Sequence, residues 1–248
     1  MRFGPTNSLV LCYHAVSPTW GAALSVSPDV LERQLSWFVR RGWCGSTFTD
    51  AVLDPAGSRA LAVTFDDAFL SVFELAHPIL RSLGLPGTVF APTAFMSSRQ
   101  TLSWPGIEQW ATGPDAAELE SMSWDELGTL SDDGWEIGSH TRTHPRLTDL
   151  SDDALSDELA QSREEVTRLV GRPCTSVAYP YGDVDERIAA EAARVGYVAG
   201  AALPRQLTPR GPLRWPRVGI YHVDTWERFR AKVSRPRHAL STARFWPR

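Results

Sequence analysis

Short apolar runs that alternate with amphipathic helical stretches constrain this chain more than any other feature. The runs are Ser8–Tyr13, Ala60–Phe65, Gly87–Ala91, Trp135–Ser139, Ser176–Tyr179, Tyr197–Ala202 and Arg217–Tyr221, and each reads as a buried strand. Helical patterns fill the gaps. Ser27 caps a helix with Pro28 at its first position, Leu31, Leu35 and Phe38 on one face and Gly42 as its stop. Leu70–Leu83 is helical with a kink at Pro78, and Gly84 ends it. Ser123-Trp124-Asp125-Glu126 has the form of a capping box for a short helix ending near Gly134. Ser151–Val170 is a long helix with acids in its first turn and Gly171 after its last. Asp185–Arg194 and Thr225–Val233 follow, the last begun by Asp224. About seven such β–α units imply right-handed crossovers and a parallel sheet, open or closed into a barrel. Residues 94–121 lack a period and read as a functional loop or insertion bearing Trp104, Pro105, Trp110, Gly113 and Pro114.

Folds of this class put their chemistry at the carboxyl ends of the strands. His14, Asp66-Asp67, His140 and Tyr179-Pro180-Tyr181 all fall just past strand ends. Thr64-Phe65-Asp66-Asp67 delivers two adjacent carboxylates, and Ser139-His140-Thr141-Arg142-Thr143-His144 delivers two imidazoles four residues apart. One carboxylate and two histidines can hold a divalent cation and leave a position open, as catalytic sites do. The second carboxylate can then take a proton from water. Either pair alone has a plainer use, as a helix cap or as solvated histidines. Their convergence on one rim supports the chemical reading.

Composition narrows the rest. A chain of 248 residues with 43% hydrophobic and 22% charged residues suits one globular domain. A net charge of -4 gives no footprint for nucleic acid. Cys12, Cys44 and Cys174 are too few and too scattered for a disulfide framework or a cysteine zinc site, and Cys12 reads as core. Most of the ten Trp residues are expected in packing. No stretch approaches the ~18 apolar residues of a membrane span. The run Leu9–Tyr13 is shorter than a signal-peptide core, so a cytoplasmic location is expected. Lys232–Arg248 forms a basic tail with no acid, expected to be solvated.

Taken in order, Thr64–Asp67, Ser139–His144 and Ala178-Tyr179-Pro180-Tyr181-Gly182 resemble the first three motifs of the polysaccharide deacetylase family, also called NodB-homology domains or carbohydrate esterase family 4. The resemblance implies an α/β fold, a distorted (β/α)7-type barrel, spanning residues 1–248 as a single domain. It implies a hydrolase that removes N-acetyl groups from an N-acetylated carbohydrate. Asp67, His140 and His144 would bind a divalent metal, most often zinc, with cobalt, nickel or manganese compatible with the same ligands. Asp66 would be the general base. Tyr179 and Tyr181 would line the substrate, with the backbone N–H near Tyr181 as an oxyanion donor.

Two positions depart from the family pattern. Ala178 stands where the third motif often carries the arginine that orients the base, with Arg217 or Arg142 as possible substitutes. The family's Leu-x-His, whose histidine protonates the leaving amine, is matched only loosely by Ile220-Tyr221-His222. Cys12-Tyr13-His14-Ala15-Val16 resembles instead the amino-terminal Tyr-His segment of a subgroup that includes deacetylases of exported poly-N-acetylglucosamine. That resemblance implies His14 as the acid in preference to His222. With a cytoplasmic location, a nucleotide- or lipid-linked sugar or a glycosylated small molecule is the expected substrate. The rivals are an O-acetyl esterase on the same site and a carbohydrate-binding homologue without catalysis, which the missing third-motif arginine favours.

Overall fold

The computed structural model describes residues 8–54, 59–203 and 211–234. In chain order the elements are β1 (Leu9–Tyr13), β2 (Ala15–Val16), β3 (Ser25–Val26), α1 (Pro28–Val39), β4 (Cys44–Ser46), α2 (Phe48–Leu53) and β5 (Ala60–Phe65). Then come α3 (His77–Ser82), β6 (Thr88–Ala91), α4 (Trp124–Asp132), β7 (Glu136–Ser139), α5 (Asp152–Val170), β8 (Ser176–Ala178), α6 (Glu186–Val195), β9 (Ala199–Ala202), β10 (Trp215–Pro216), β11 (Val218–Gly219) and α7 (Trp226–Val233).

The main sheet is parallel and runs β10-β9-β8-β7-β6-β5-β1-β11. Its two edges are halves of one segment. Arg217 alone separates β10, which pairs with β9 at Trp215↔Ala201, from β11, which pairs with β1 at Leu11↔Val218. The sheet therefore closes on itself as a single-domain barrel, the expected (β/α)7 type. The distortion has a visible source. β4 pairs with the first half of β5, at Cys44↔Ala60, and β6 with its second half, at Thr64↔Thr88.

Alternation along the strands sorts the side chains into two layers. Leu9, Leu11 and Tyr13 of β1 pack outward with Leu31, Leu35 and Phe38 of α1 in the large core shared with the helices. Val10 belongs instead to a smaller cluster with Phe48, Ala62, Phe90, Ala201 and Trp215, which fills the barrel. Cys12 and His14 share the parity of Val10, and Thr64 and Asp66 that of Ala62. Period two thus aims these polar groups at the barrel interior and its mouth.

The capping expectations mostly hold. Ser27, Ser123 and Ser151 each cap a helix, Ser123 in a full capping box with Glu126, and Gly171 closes α5 with φ 75°. Three expectations change. The strand placed at Arg217–Tyr221 begins earlier and breaks at Arg217. The helix from Leu70 opens as a wide π turn, Val72–Ala76, before α3. Pro78 has no amide to return to Glu74, which accounts for the loosened turn. The cap of α7 is Thr225, because Asp224 is committed to the Tyr221 amide and to Lys232. The basic tail beyond Ser234 lies outside the described residues. Among the described residues no helix is long and apolar enough to cross a membrane.

Candidate active site

The loops after β5, β7 and β8 turn so tightly that ordinary residues take left-handed backbone. Among the described residues, the non-glycine positions with positive φ are Asp67 (70°), Ala68 (52°), Thr141 (65°), His144 (61°) and Tyr181 (60°). Each such residue costs on the order of 1–3 kcal/mol, and such costs cluster where geometry serves function. The histidine loop is braced from α5. Glu158 accepts hydrogen bonds from the Arg142 amide (2.8 Å), the Thr143 amide (2.9 Å) and the Thr143 hydroxyl (2.6 Å). Ser139 Oγ accepts from the Thr141 amide and Thr141 Oγ1 from the His144 amide.

These loops bring Asp67, His140 and His144 together, all three buried. Nε2 of His140 lies 3.3 Å and Nε2 of His144 3.4 Å from Asp67 Oδ1. That oxygen is buried and has no hydrogen-bond partner. His140 Nδ1 faces the Ala178 carbonyl at 2.8 Å, so its proton points there and Nε2 keeps its lone pair for Asp67's side. Burial alone disfavours charge on His140, but the Asp66 and Asp67 carboxylates outweigh it and raise its pKa. At His144 burial, reinforced by His140, wins and lowers the pKa to about 3. A nitrogen and an oxygen sharing one tetrahedral ion at about 2.0–2.1 Å lie about 3.3 Å apart. Both measured separations match, so the residues present fit a divalent cation.

Asp66 faces different partners. Arg217 grips it with both arms of its guanidinium, Nη1 to Oδ1 at 2.6 Å and Nη2 to Oδ2 at 2.7 Å. Arg217 is fully buried and Asp66 nearly so. Nη1 also donates to Thr64 Oγ1. Burial pushes the Asp66 carboxyl upward, yet Arg217, with His140 behind it, holds it well below the usual carboxylate range. The guanidinium that meets Asp66 thus comes from the break between β10 and β11. Arg142 is elsewhere, 3.7 Å from Glu165 on the surface.

His14 is buried, with Nδ1 unpartnered and its ring stacked on Tyr221 at 6.4 Å. A donor atom of His14, one of Asp66 and the Cys12 sulfur lie within 4.8 Å of one another. His222 is exposed, its amide bonded to the Ala23 carbonyl. Tyr181 places its ring 5.0 Å from that of His144, beneath the Arg146 guanidinium. Tyr179, expected beside the substrate, is buried with its hydroxyl committed to the Leu213 carbonyl at 2.8 Å. A Cβ on Gly200 would fall 2.4 Å from that hydroxyl, so the tyrosine is packed into the barrel wall. Trp104, from the irregular 94–121 segment, stacks on His144 at 4.2 Å. Nothing in its local pattern assigned it this contact.

The family model described as polysaccharide deacetylase matches residues 54–200, more than half of the chain. The chain belongs to the polysaccharide deacetylase family. YxkH of Bacillus subtilis strain 168, whose name places it in the same family, is 22% identical over 201 residues, covering 79% of this chain and 64% of that protein. The chain therefore spans less than two thirds of that relative's length. Among solved structures, the Streptococcus pyogenes deacetylase PplD in complex with acetate superposes with a TM-score of 0.72 at 21% identity, over 89% of this chain and 95% of that one. BC0361, a polysaccharide deacetylase from Bacillus cereus, gives 0.73 at 23% identity over 92% and 69%. These likenesses are of fold, and they agree with the closed parallel barrel. The matched span holds Asp66, Asp67, His140 and His144. His14 and Arg217 lie outside it and reach the same mouth from the first and last barrel strands.

Proposed function

We propose that the chain is a metal-dependent amide hydrolase that removes an N-acetyl group from an amino sugar. One observation carries the reading: two adjacent aspartates have opposite partners. Asp67 faces two imidazole nitrogens with an unsatisfied oxygen, and Asp66 faces a guanidinium. The first arrangement suits a cation, the second a carboxylate kept ionised to accept a proton.

A divalent ion held by Asp67, His140 and His144, zinc by family analogy, would polarise the acetamide carbonyl and acidify a water. Asp66 takes the proton from the attacking water. Arg217 keeps Asp66 charged and fixes the plane of its carboxylate. The amide of Tyr181 supports the oxyanion. Burial lowers the pKa of His14 against the pull of Asp67 and Asp66, so its resting ring is neutral. It can receive a proton from the Asp66 side and pass it to the departing amine. Tyr179 serves the wall that holds the third-motif loop. The Arg217 fork gives Asp66 a guanidinium although Ala178 supplies none, which supports the catalytic reading over a binding protein without catalysis.

The test is metal content of the purified protein together with acetate release from N-acetylglucosamine oligomers, after chelation and after metal add-back. We expect one tightly held ion per chain and acetate release that chelation abolishes and zinc restores. Release from O-acetylated but not N-acetylated sugars would overturn the amide reading. His14→Gln should lower kcat by about a hundred-fold or more, whereas His222→Gln should stay within about two-fold. The reverse order in kcat would move the acid role to His222.

A further inference from the structure

Cys12 lies beneath the acid–base pair without a part in it. Its thiol donates to Asp66 Oδ2 at 3.4 Å. Cys12, His14 and Asp66 are all buried, and their donor atoms lie within 4.8 Å of one another. His14 is only 7% exposed and its Nδ1 has no partner. This nitrogen, sulfur and oxygen trio is distinct from the Asp67 trio, which offers only nitrogen and oxygen. A sulfur and an oxygen sharing one tetrahedral ion, at about 2.3 and 2.0 Å, lie about 3.5 Å apart. The 3.4 Å between Cys12 Sγ and Asp66 Oδ2, spanned here by the thiol proton, is also a length that two ligands of one cation can take.

We propose that Cys12, His14 and Asp66 form a second cation site, for thiophilic divalent ions such as cadmium or excess zinc, whose filling stops turnover. The site itself follows from the side chains alone, while its inhibitory effect rests on the proposed deacetylase activity. Binding breaks the Cys12 S–H bond and forms a sulfur–metal bond. One proton leaves to solvent, and nothing changes oxidation state. Arg217 can stay in place, because its fork takes one lone pair on each Asp66 oxygen. The cation inherits the position on Oδ2 that the thiol proton now holds. Thiolate and Asp66 then offset two of the three positive charges that Arg217 and the ion carry. A soft sulfur ligand selects cadmium and zinc over manganese or magnesium. With the site filled, neither Asp66 nor His14 is free to move a proton.

The experiment titrates metal-free full-length protein with cobalt and with cadmium. We expect a second equivalent to bind after the first, with a thiolate-to-metal charge-transfer band in the near ultraviolet and release of one proton. Cys12→Ser should lose the band and the second equivalent while keeping the first. His14→Gln should weaken the second equivalent by about ten-fold or more. Cadmium beyond the first equivalent should inhibit acetate release by the parent, and Cys12→Ser should resist relative to its own uninhibited rate. Binding that stops at one equivalent, with no thiolate band, overturns the second site and leaves the Asp67 site standing. A band that vanishes in Cys44→Ser and survives in Cys12→Ser places the ion on the exposed thiol, and also overturns it. If Cys12→Ser fails to fold, the parent's band and proton release, measured in the Cys44→Ser background, still decide. Failure of the first equivalent to bind would instead sink the proposed metal centre.

Discussion

Arg217→Met should destabilise the fold by about 3–5 kcal/mol, the cost of leaving a buried carboxylate without its partner. At about 2–4 °C per kcal/mol for a domain of this size, the melting temperature should fall by roughly 6–20 °C. Asp66→Asn combined with Arg217→Met should recover much of that loss, because no uncompensated charge then remains in the barrel. Arg217→Lys should fall between, since an ammonium cannot reproduce the two-armed grip. The pH dependence has a definite sign. The folded-state pKa of Asp66 lies below its unfolded value. Stabilisation by the pair is therefore complete above the unfolded pKa, near 4, and is lost only as pH falls through the folded value. The gap between parent and Arg217→Met should narrow as pH is lowered from about 8 to about 5, because burial without Arg217 raises the variant's Asp66 pKa and acid then removes its uncompensated charge. It should narrow further in stronger acid as the parent's pair is lost. Thermal unfolding across that range checks both. An Arg217→Met protein as stable as the parent would show that the guanidinium does not neutralise Asp66.

Asp66→Asn should separate turnover from metal binding. We expect kcat to drop by about a hundred- to ten-thousand-fold while the bound ion remains, since Asp66 is not among the three atoms that converge on it. His140→Ala should lose the ion and the turnover together. Asp67→Ala should do the same, since its Oδ1 is where both imidazoles meet. Metal analysis and single-turnover acetate release, run below the variant's melting temperature, distinguish the two classes. Full activity in Asp66→Asn would end its assignment as the base. Loss of metal in that variant would mean that both aspartates are ligands.

The alternation of strands and helices, the serine caps and the two polar strand ends were legible residue by residue, because each depends on neighbours within a few positions. β5 occurs at Ala60–Phe65, as its apolar run predicts. The distant partnerships were open. Arg217 meets Asp66 across 151 residues of chain, and no local pattern distinguishes it from Arg142. Its strand looked continuous because a run of apolar residues does not reveal that β10 and β11 belong to different neighbours. Tyr179 and Tyr181 share one strand parity, yet the turn at Pro180–Gly182, with Tyr181 at φ 60°, sends the first hydroxyl to Leu213 and the second ring to His144. Cys12 read as core, and it is buried, but parity with Val10 turns its sulfur inward under Asp66. Trp104 lay in a stretch without period, where only the folded path of the chain brings it onto His144.

By itself the sequence determined a parallel α/β architecture and the residue types delivered to one rim, because hydrophobic period and capping are short-range properties. Only the tertiary structure decided which aspartate faces imidazoles and which faces a guanidinium. That division of labour arises when the barrel closes at Arg217 and places its charge beside Asp66 and out of water.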